Sequence, residues 1–211
     1  MTALPQHIKE KFYNTILGRV PIADFEQWLY GDKELEACLN PNDYFDLLSL
    51  NYKKSNAEKE LIELLLKHIH LGEFDTFKIL ELLYEAQDKT DRLPYILMEF
   101  NELYWKQYYF LQWVSLGIGP NMQVPGNKNT LAANWEDLTV EQQRQLLDSF
   151  SPQLEKSIAN VIDCLEKKKI VLIGEKNRKG YYEYIDHRTP TEMQFSFWHN
   201  PNPKKWWQFW K

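Results

Sequence analysis

Two histidines and two carboxylates lie close together in the sequence, and they are the first candidates for a metal site. His68 and His70 are followed by Glu73 and Asp75, and imidazole and carboxylate groups are common zinc ligands. The segment has helical periodicity, however, and residues two apart on a helix point about 200° away from each other. Because the chain contains no HExxH sequence or second histidine pair, we expect no metal site here.

An acid–base pair and a glycine-rich segment are the next candidates, this time for catalysis. Asp186 and His187 are adjacent and could orient a general base, but no G-x-S-x-G nucleophile motif accompanies them. Neighbouring residues of an extended segment also point to opposite faces. Gly117 and Gly119 begin a phosphate-loop pattern that is not completed. We therefore predict neither an enzyme nor a cofactor, although an enzyme with a dispersed site stays open.

A basic segment near the C-terminus suggests contact with nucleic acid. Residues 167–180 contain six Lys and Arg against one Glu, between a predicted helix and a predicted strand. A helix followed by a basic hairpin is the ending of a winged helix, in which the hairpin contacts nucleic acid. The preceding helix has a mixed face that carries Asp163 and Glu166 beside Lys156. We therefore do not expect nucleic acid as the partner, and a nucleic-acid-binding regulator that uses this hairpin is the alternative function.

The acidic stretch at residues 22–50 is more informative, because it has seven acids against the single base Lys33 and includes several aromatic residues. One interpretation is a solvated helix surface above core aromatics. The other is an acidic surface with aromatic anchors for a basic protein, since such fields accelerate association and favour particular partners. Under the second interpretation the partner-binding residues are Asp24, Glu26, Trp28, Asp32, Glu34, Glu36, Asp43 and Asp46.

Helical signals dominate the first three quarters of the chain. Residues that could cap helices precede apolar residues at helical spacing, and we expect helices to begin at each of them. Gly72 is expected to end a helix, and Asp91 to cap a long one that carries apolar residues as far as Val114. The predicted caps are Asp24, Asp32, Asn40 before Pro41, the Ser55–Glu58 and Thr139–Gln142 capping boxes, and Ser151 before Pro152.

The pattern then changes to short strands. Two short segments are apolar or alternate between apolar and polar residues, namely 169–173 and 181–185. A polar loop separates them, which predicts a β-hairpin. The fold class is therefore mainly α (α+β), with a multi-helix body and a small C-terminal antiparallel hairpin or sheet. A helical body at 1–116, a loop at 117–135, and a 136–211 segment of helices, hairpin and aromatic tail are expected to pack as one domain, with a further strand at 194–198.

Composition and charge are consistent with a cytoplasmic protein. The net charge is −5 and is uneven, with 11 Lys and Arg against 19 Asp and Glu in residues 1–105. An acidic field disfavours binding to nucleic acid. Cys38 and Cys164 are isolated and resemble small buried hydrophobic residues. Since the N-terminus lacks a leader pattern and no run of about 18 apolar residues exists, we expect no membrane partner and a reducing compartment.

Three blocks of the chain resemble bacterial immunity proteins of polymorphic toxin systems, contact-dependent or secreted. Residues 12–30 end in the pattern P-I-x-x-F-E-x-W-L-Y, and residues 44–53 and 182–189 fit the same family. The resemblance implies a small protein that binds and neutralises a cognate toxin, many of which are basic nucleases. The aromatic ending around Trp206, Trp207 and Trp210 is not part of the pattern. The oligomeric state and the identity of the toxin do not follow from the resemblance.

Overall fold

The computed structural model describes residues 4–116, 118 and 134–193. The chain divides into two compact units, residues 1–74 and 75–211. The predicted boundary at 117–135 lies within the second unit, and most of that loop, together with the predicted strand 194–198 and the aromatic tail, lies outside the described residues. The helices of the first unit are α1 (Gln6–Ile16), α2 (Ile22–Gly31), α3 (Lys33–Cys38), α4 (Pro41–Ser49), α5 (Ala57–Leu66) and the beginning of α6 (Leu71–Gln87).

The first unit is held together by a hydrophobic core to which each of helices α1–α5 contributes. Phe12 of α1 and Phe25 of α2 are fully buried, with ring centroids 6.2 Å apart. Their helices place apolar residues three or four positions apart, so that one face of each helix is removed from water. The other members of this core include Ile8, Leu29, Leu35, Leu47, Leu61 and Leu65.

Short-range signals predicted two of the helix starts in this unit. The Asp32 carboxylate accepts hydrogen bonds from the backbone N–H groups of Glu34 and Leu35 at 2.9 and 3.0 Å. Asn40 accepts one from the N–H of Asp43 at 2.9 Å, and proline follows it in the first turn. Side-chain oxygens at these positions satisfy backbone donors that have no partner within the helix. Both caps are confirmed.

Three other predicted helix boundaries, two starts and one end, are wrong. Asp24 is not a cap, because α2 already begins at Ile22 after Pro21 and Asp24 lies in its first turn. The Ser55–Glu58 capping box does not form, since Asn56 occupies the cap position of α5 and makes no side-chain cap hydrogen bond. Gly72 does not end a helix but lies near the start of α6.

The second unit has a separate core and contains the rest of α6 and the remaining elements. Buried residues of α7, α8 and α10 meet the inward face of the hairpin in this core. Cys164 is buried there, whereas Cys38 of the first unit is only half-buried. The elements are α7 (Leu93–Trp105), a short 3-10 helix (Tyr109–Leu111), α8 (Gln112–Ser115), a second 3-10 helix (Trp135–Asp137), α9 (Val140–Asp148), α10 (Gln153–Glu166), β1 (Ile170–Lys176), β2 (Tyr182–Asp186) and α11 (Pro190–Met193).

The long helix predicted from Asp91 to Val114 is interrupted. Arg92, not Asp91, precedes α7, which ends at Trp105. Gln107 adopts a φ of 78°, a left-handed conformation that cannot continue a right-handed helix. The reversal turns the side chain of Tyr108 inward, where it is 1% exposed and its hydroxyl donates to Asp75 at 3.1 Å. Burial of Tyr108 therefore accompanies a break that helical periodicity alone did not indicate.

Two more predicted helix starts in this unit have different outcomes. Thr139 accepts a hydrogen bond from the N–H of Gln142, whose side chain accepts one in return from the N–H of Thr139, so this capping box is confirmed. Ser151 is not the cap of α10, because Pro152 occupies that position. The Ser151 hydroxyl instead donates to Glu155 at 2.6 Å.

The predicted hairpin is confirmed as an antiparallel pair of strands, β1 and β2. Ile170 faces Asp186 and Leu172 faces Tyr184, and the register shifts between Leu172 and Lys176. Gly174 has a φ of 78° within this shift, a conformation that glycine adopts without a steric penalty. The described chain is thus mainly α-helical with one small hairpin, as predicted. Within it, no helix combines the length and hydropathy that a bilayer crossing requires.

Candidate protein-binding surface

Helix α2 and Asp32, the residue that follows its last turn, bring three of the predicted binding residues together. Asp24, Trp28 and Asp32 follow one another at intervals of four residues, and successive members of such a series lie one turn apart. They line an open surface depression of about 680 Å³, hereafter the α2 depression. Gln27 and Lys33 also line it and were missed, although Gln27 could have been found from the same helical spacing.

Trp28 forms part of the wall of this depression and does not protrude from the surface. Its half-buried indole makes an edge contact with Phe12, with centroids 6.3 Å apart, and a tilted contact with Phe25 at 5.3 Å. The ammonium group of Lys11 lies 5.7 Å from the centroid of the indole. More exposed aromatic side chains nearby in the sequence are Tyr30 and Phe45, at 60% and 65%. The acidic stretch therefore contains an aromatic side chain packed against the core, as the first interpretation expects, and exposed aromatic side chains, as the second expects.

Glu26 and Glu36 are not among the residues that line the depression, and each of them acts on a tyrosine. The hydroxyl of Tyr30 donates to Glu26 at 3.3 Å. Burial, followed by the charges of Glu36 and Asp32, raises the pKa of Tyr44, which shows that both carboxylates act on the same phenol. We call Asp24, Glu26, Trp28, Asp32 and Glu36 the acidic surface. Of its carboxylates, those of Asp24 and Glu36 make no hydrogen bond or ion pair with the described residues.

The remaining three predicted binding residues lie elsewhere in the first unit. Glu34 pairs with His7 on α1 at 3.3 Å. Asp43 accepts a hydrogen bond from the Asn40 amide and lies 3.7 Å from His68. Asp46 lines a separate depression of about 400 Å³ together with Lys54 and Lys67. The eight candidates therefore do not form one continuous face, and neighbouring groups already engage the carboxylates of Glu34 and Asp43.

The burial of His68 beside Asp43 predicts a pH dependence of stability. The side chain of His68 is 8% exposed. Burial, the largest influence, lowers the pKa of His68 below its ordinary value of 6.5, with Lys67 acting in the same direction and Asp43 against it. The unfolded chain keeps the ordinary pKa, so between the two values it binds more protons than the folded chain, and stability falls as pH drops.

We therefore expect urea unfolding to show a loss of stability between about pH 7.5 and pH 5.5. In the variant His68→Gln, which cannot titrate, this part of the loss should be absent. A variant whose stability falls with pH as steeply as that of the original chain would contradict the assignment to His68.

The other sequence candidates for chemistry have structural partners. His70 accepts a hydrogen bond from the N–H of Glu73 at 3.3 Å, near the start of α6. Arg188 makes two hydrogen bonds to Asp186, at 2.9 and 2.7 Å. Burial opposes ionisation of Asp186, but the Arg188 hydrogen bonds outweigh it and lower the pKa of Asp186. Within the described residues, no group of three or more His, Cys, Asp and Glu could hold a metal ion.

A groove of about 540 Å³ lies in the second unit, and a carboxylate and a serine meet in its wall. The Glu155 carboxylate in its wall accepts from Lys89 and from Ser151, each at 2.6 Å. Burial disfavours its charge, yet these two hydrogen bonds prevail and lower the pKa of Glu155. A serine that donates to an ionised, lysine-paired carboxylate resembles a structural cross-link more than a nucleophile with its base.

Half of the basic residues in the 167–180 segment are engaged within the second unit. Lys167 pairs with Asp163 at 2.5 Å and Lys169 with Glu192 at 2.6 Å. The ammonium group of Lys176 lies 4.8 Å from the ring centroid of Tyr182. These contacts reduce the field available to an external anion, and they leave Lys168 and the hairpin-tip residues Arg178 and Lys179 exposed.

Comparison with protein-family models, with curated proteins and with solved structures finds no match to this chain. The resemblance to immunity proteins therefore rests on the three sequence blocks alone.

Proposed function

We propose that the chain is a protein-binding module that recognises a basic partner through its acidic surface, and that it acts as an immunity protein neutralising a cognate toxin. The observation that carries the proposal is the α2 depression, in which Asp24 and Asp32 flank the indole of Trp28. The acidic surface supports the binding of a basic partner, and the sequence resemblance supports the immunity role.

The α2 depression suits a lysine or arginine side chain from a partner. The aliphatic part of such a side chain can lie against an indole while its charged end reaches carboxylates one turn away on either side. Asp24 makes no ion pair with the described residues, so its charge is available. Helix α2 and the contact of Trp28 with Phe12 fix these groups before binding, which reduces the entropy lost on association.

The charge of the first unit supports a basic partner. Residues 1–74 contain 8 Lys and Arg against 12 Asp and Glu. Acidic fields of this kind steer basic proteins and raise the rate of association. Exposed Tyr30 and Phe45 supply aromatic area nearby in the sequence, and a specific interface of standard size needs only about 800 Å² from each partner. An inhibitor that covers a toxin's site needs no catalytic group of its own.

The proposal predicts that a large toxin is encoded in the gene next to this one, immediately upstream, and the test is co-expression of that neighbour with the chain. The proposal predicts that this neighbour arrests growth when expressed alone, that the chain restores growth, and that the two purified proteins form a complex. The matched control is the chain with Asp24, Glu26 and Glu36 reversed in charge, which should be equally abundant but restore growth poorly. A toxic neighbour that neither binds the chain nor is neutralised by it would refute the proposal.

A further inference from the structure

The end of α7 carries a cluster of exposed aromatic side chains. Trp105 is 65% exposed and Tyr109 is 48% exposed. Tyr104 lies between them, with its ring centroid 5.4 Å from each of theirs in edge-on contact. Exposed contiguous aromatic surface is uncommon on soluble proteins and marks sites of interaction.

The cluster is a direct result of the helix break at Gln107. With its φ of 78°, Gln107 turns the chain after Trp105, so that Tyr108 enters the core and Tyr109 faces outward. The rings on either side of the turn are thus presented by a backbone held in place by the buried Tyr108. An aromatic platform of this kind is preformed, and ligand stacking on it would cost little side-chain ordering.

The basic hairpin is attached beside this cluster. The backbone N–H of Tyr182 donates to the carbonyl of Lys106 at 3.1 Å. The ring of Tyr182 stacks on Tyr108, with centroids 4.8 Å apart and an interplanar angle of 17°. The ammonium group of Lys176 on β1 lies over the ring of Tyr182, 4.8 Å from its centroid. These contacts attach the hairpin to the turn between Trp105 and Tyr109.

The tip of the hairpin is an ordered turn that presents two more cations. The side-chain oxygen of Asn177 accepts from the N–H groups of Lys179 and Tyr181, at 2.9 and 3.2 Å. Gly180 closes the turn with a φ of 82°. Arg178 and Lys179 are exposed, and neither side chain makes an ion pair with the described residues.

We propose that this aromatic–basic patch, formed by Trp105, Lys106, Tyr109, Lys176, Arg178 and Lys179, binds single-stranded nucleic acid. Unpaired bases stack on exposed aromatic rings, and neighbouring Lys and Arg side chains neutralise the phosphates. This chemistry is independent of the sequence of the bases. It uses a different unit of the chain from the acidic surface and does not rest on the proposed immunity function.

The charge and the geometry favour a single strand over a duplex. A duplex reader presents a helix to the major groove, whereas α10, which precedes the hairpin, has seven buried residues and a mixed charge. Exposed rings cannot stack on bases that are already paired. Glu102, 3.9 Å from Lys106, and Glu183 on β2 oppose the phosphates. Because Lys and Arg side chains that neutralise phosphates release counterions, we expect binding to weaken as salt is added.

The experiment measures fluorescence anisotropy of a labelled oligothymidylate of about 12 nucleotides, titrated with the full chain at low and moderate salt. Trp105→Ala should weaken binding about tenfold, because stacking on one ring carries an effect of that order. The double variant Arg178→Glu and Lys179→Glu should weaken it and flatten its salt dependence. Phe45→Ala is the matched control, since Phe45 is also 65% exposed but lies in the other unit.

Three results would overturn the proposal. The first is no measurable binding by the original chain at low salt. The second is equal binding by the original chain and Trp105→Ala, which would place the oligonucleotide on another part of the molecule. The third is sedimentation with vesicles of phosphatidylserine and phosphatidylcholine, lost in Trp105→Ala, without oligonucleotide binding, which would assign the patch to a lipid surface.

Discussion

Alanine in place of Phe12 is expected to lower the free energy of unfolding by about 3–5 kcal/mol. The side chain is fully buried and contacts the rings of Phe25 and Trp28, at centroid distances of 6.2 and 6.3 Å. The variant loses the transfer free energy of a phenyl group and leaves a cavity that the surrounding helices fill only in part. Because Phe12 supports Trp28, the wall of the α2 depression should also loosen.

Urea denaturation followed by circular dichroism measures the change in stability, and near-ultraviolet dichroism follows the aromatic packing. Phe45→Ala is the matched control, because the same side chain at 65% exposure should change the free energy of unfolding by no more than about 0.5 kcal/mol. If the two variants unfolded at the same urea concentration, the assignment of Phe12 to the core would be wrong.

Reversing the charge of Asp24, Glu26 and Glu36 to lysine is expected to slow association with the toxin about tenfold or more at low salt. These three carboxylates belong to the acidic surface, and none of them caps a helix. The difference from the original chain should shrink as salt screens the charges, since exposed groups act over about one Debye length. The melting temperature should stay nearly constant, because exposed charges contribute little to stability.

The matched control reverses Asp88, Asp91 and Glu99, three exposed acids of the second unit. It changes net charge by the same amount, so an equal slowing by both triple variants would show that only overall charge matters. Asp32 is left unchanged, because its cap hydrogen bonds to Glu34 and Leu35 contribute about 1 kcal/mol to helix stability. Asp43 is left unchanged because of its contact with His68.

The features that could be predicted from sequence depend on neighbouring residues. The Asp32, Asn40 and Thr139 caps use a side chain and a backbone N–H two or three residues away, and alternating residues gave the hairpin. The grouping of Asp24 with Trp28 follows in the same way from a spacing of four on a helix. In the helical cases the decisive contact forms within about one turn of chain, and in the hairpin it forms between neighbouring strands.

Features that depend on tertiary contacts were not predicted. The break after Trp105 accompanies burial of Tyr108 against Tyr182, some 74 positions along the sequence. Helical periodicity placed Trp105 within a continuous central helix, so the aromatic–basic patch was missed. Likewise, Asp46 does not line the α2 depression. It lines a separate one, where Lys54 and Lys67 from other segments meet it.

The central claim is that the acidic surface binds a toxin. The most direct test is the binding kinetics of the full chain with the purified toxin, which the account expects to be encoded immediately upstream. The account predicts a complex whose association is slowed about tenfold or more by reversal of Asp24, Glu26 and Glu36, with the second-unit control nearly unchanged. It is contradicted if association survives that reversal and is lost instead on reversal of the basic residues Lys167, Lys168, Lys176, Arg178 and Lys179.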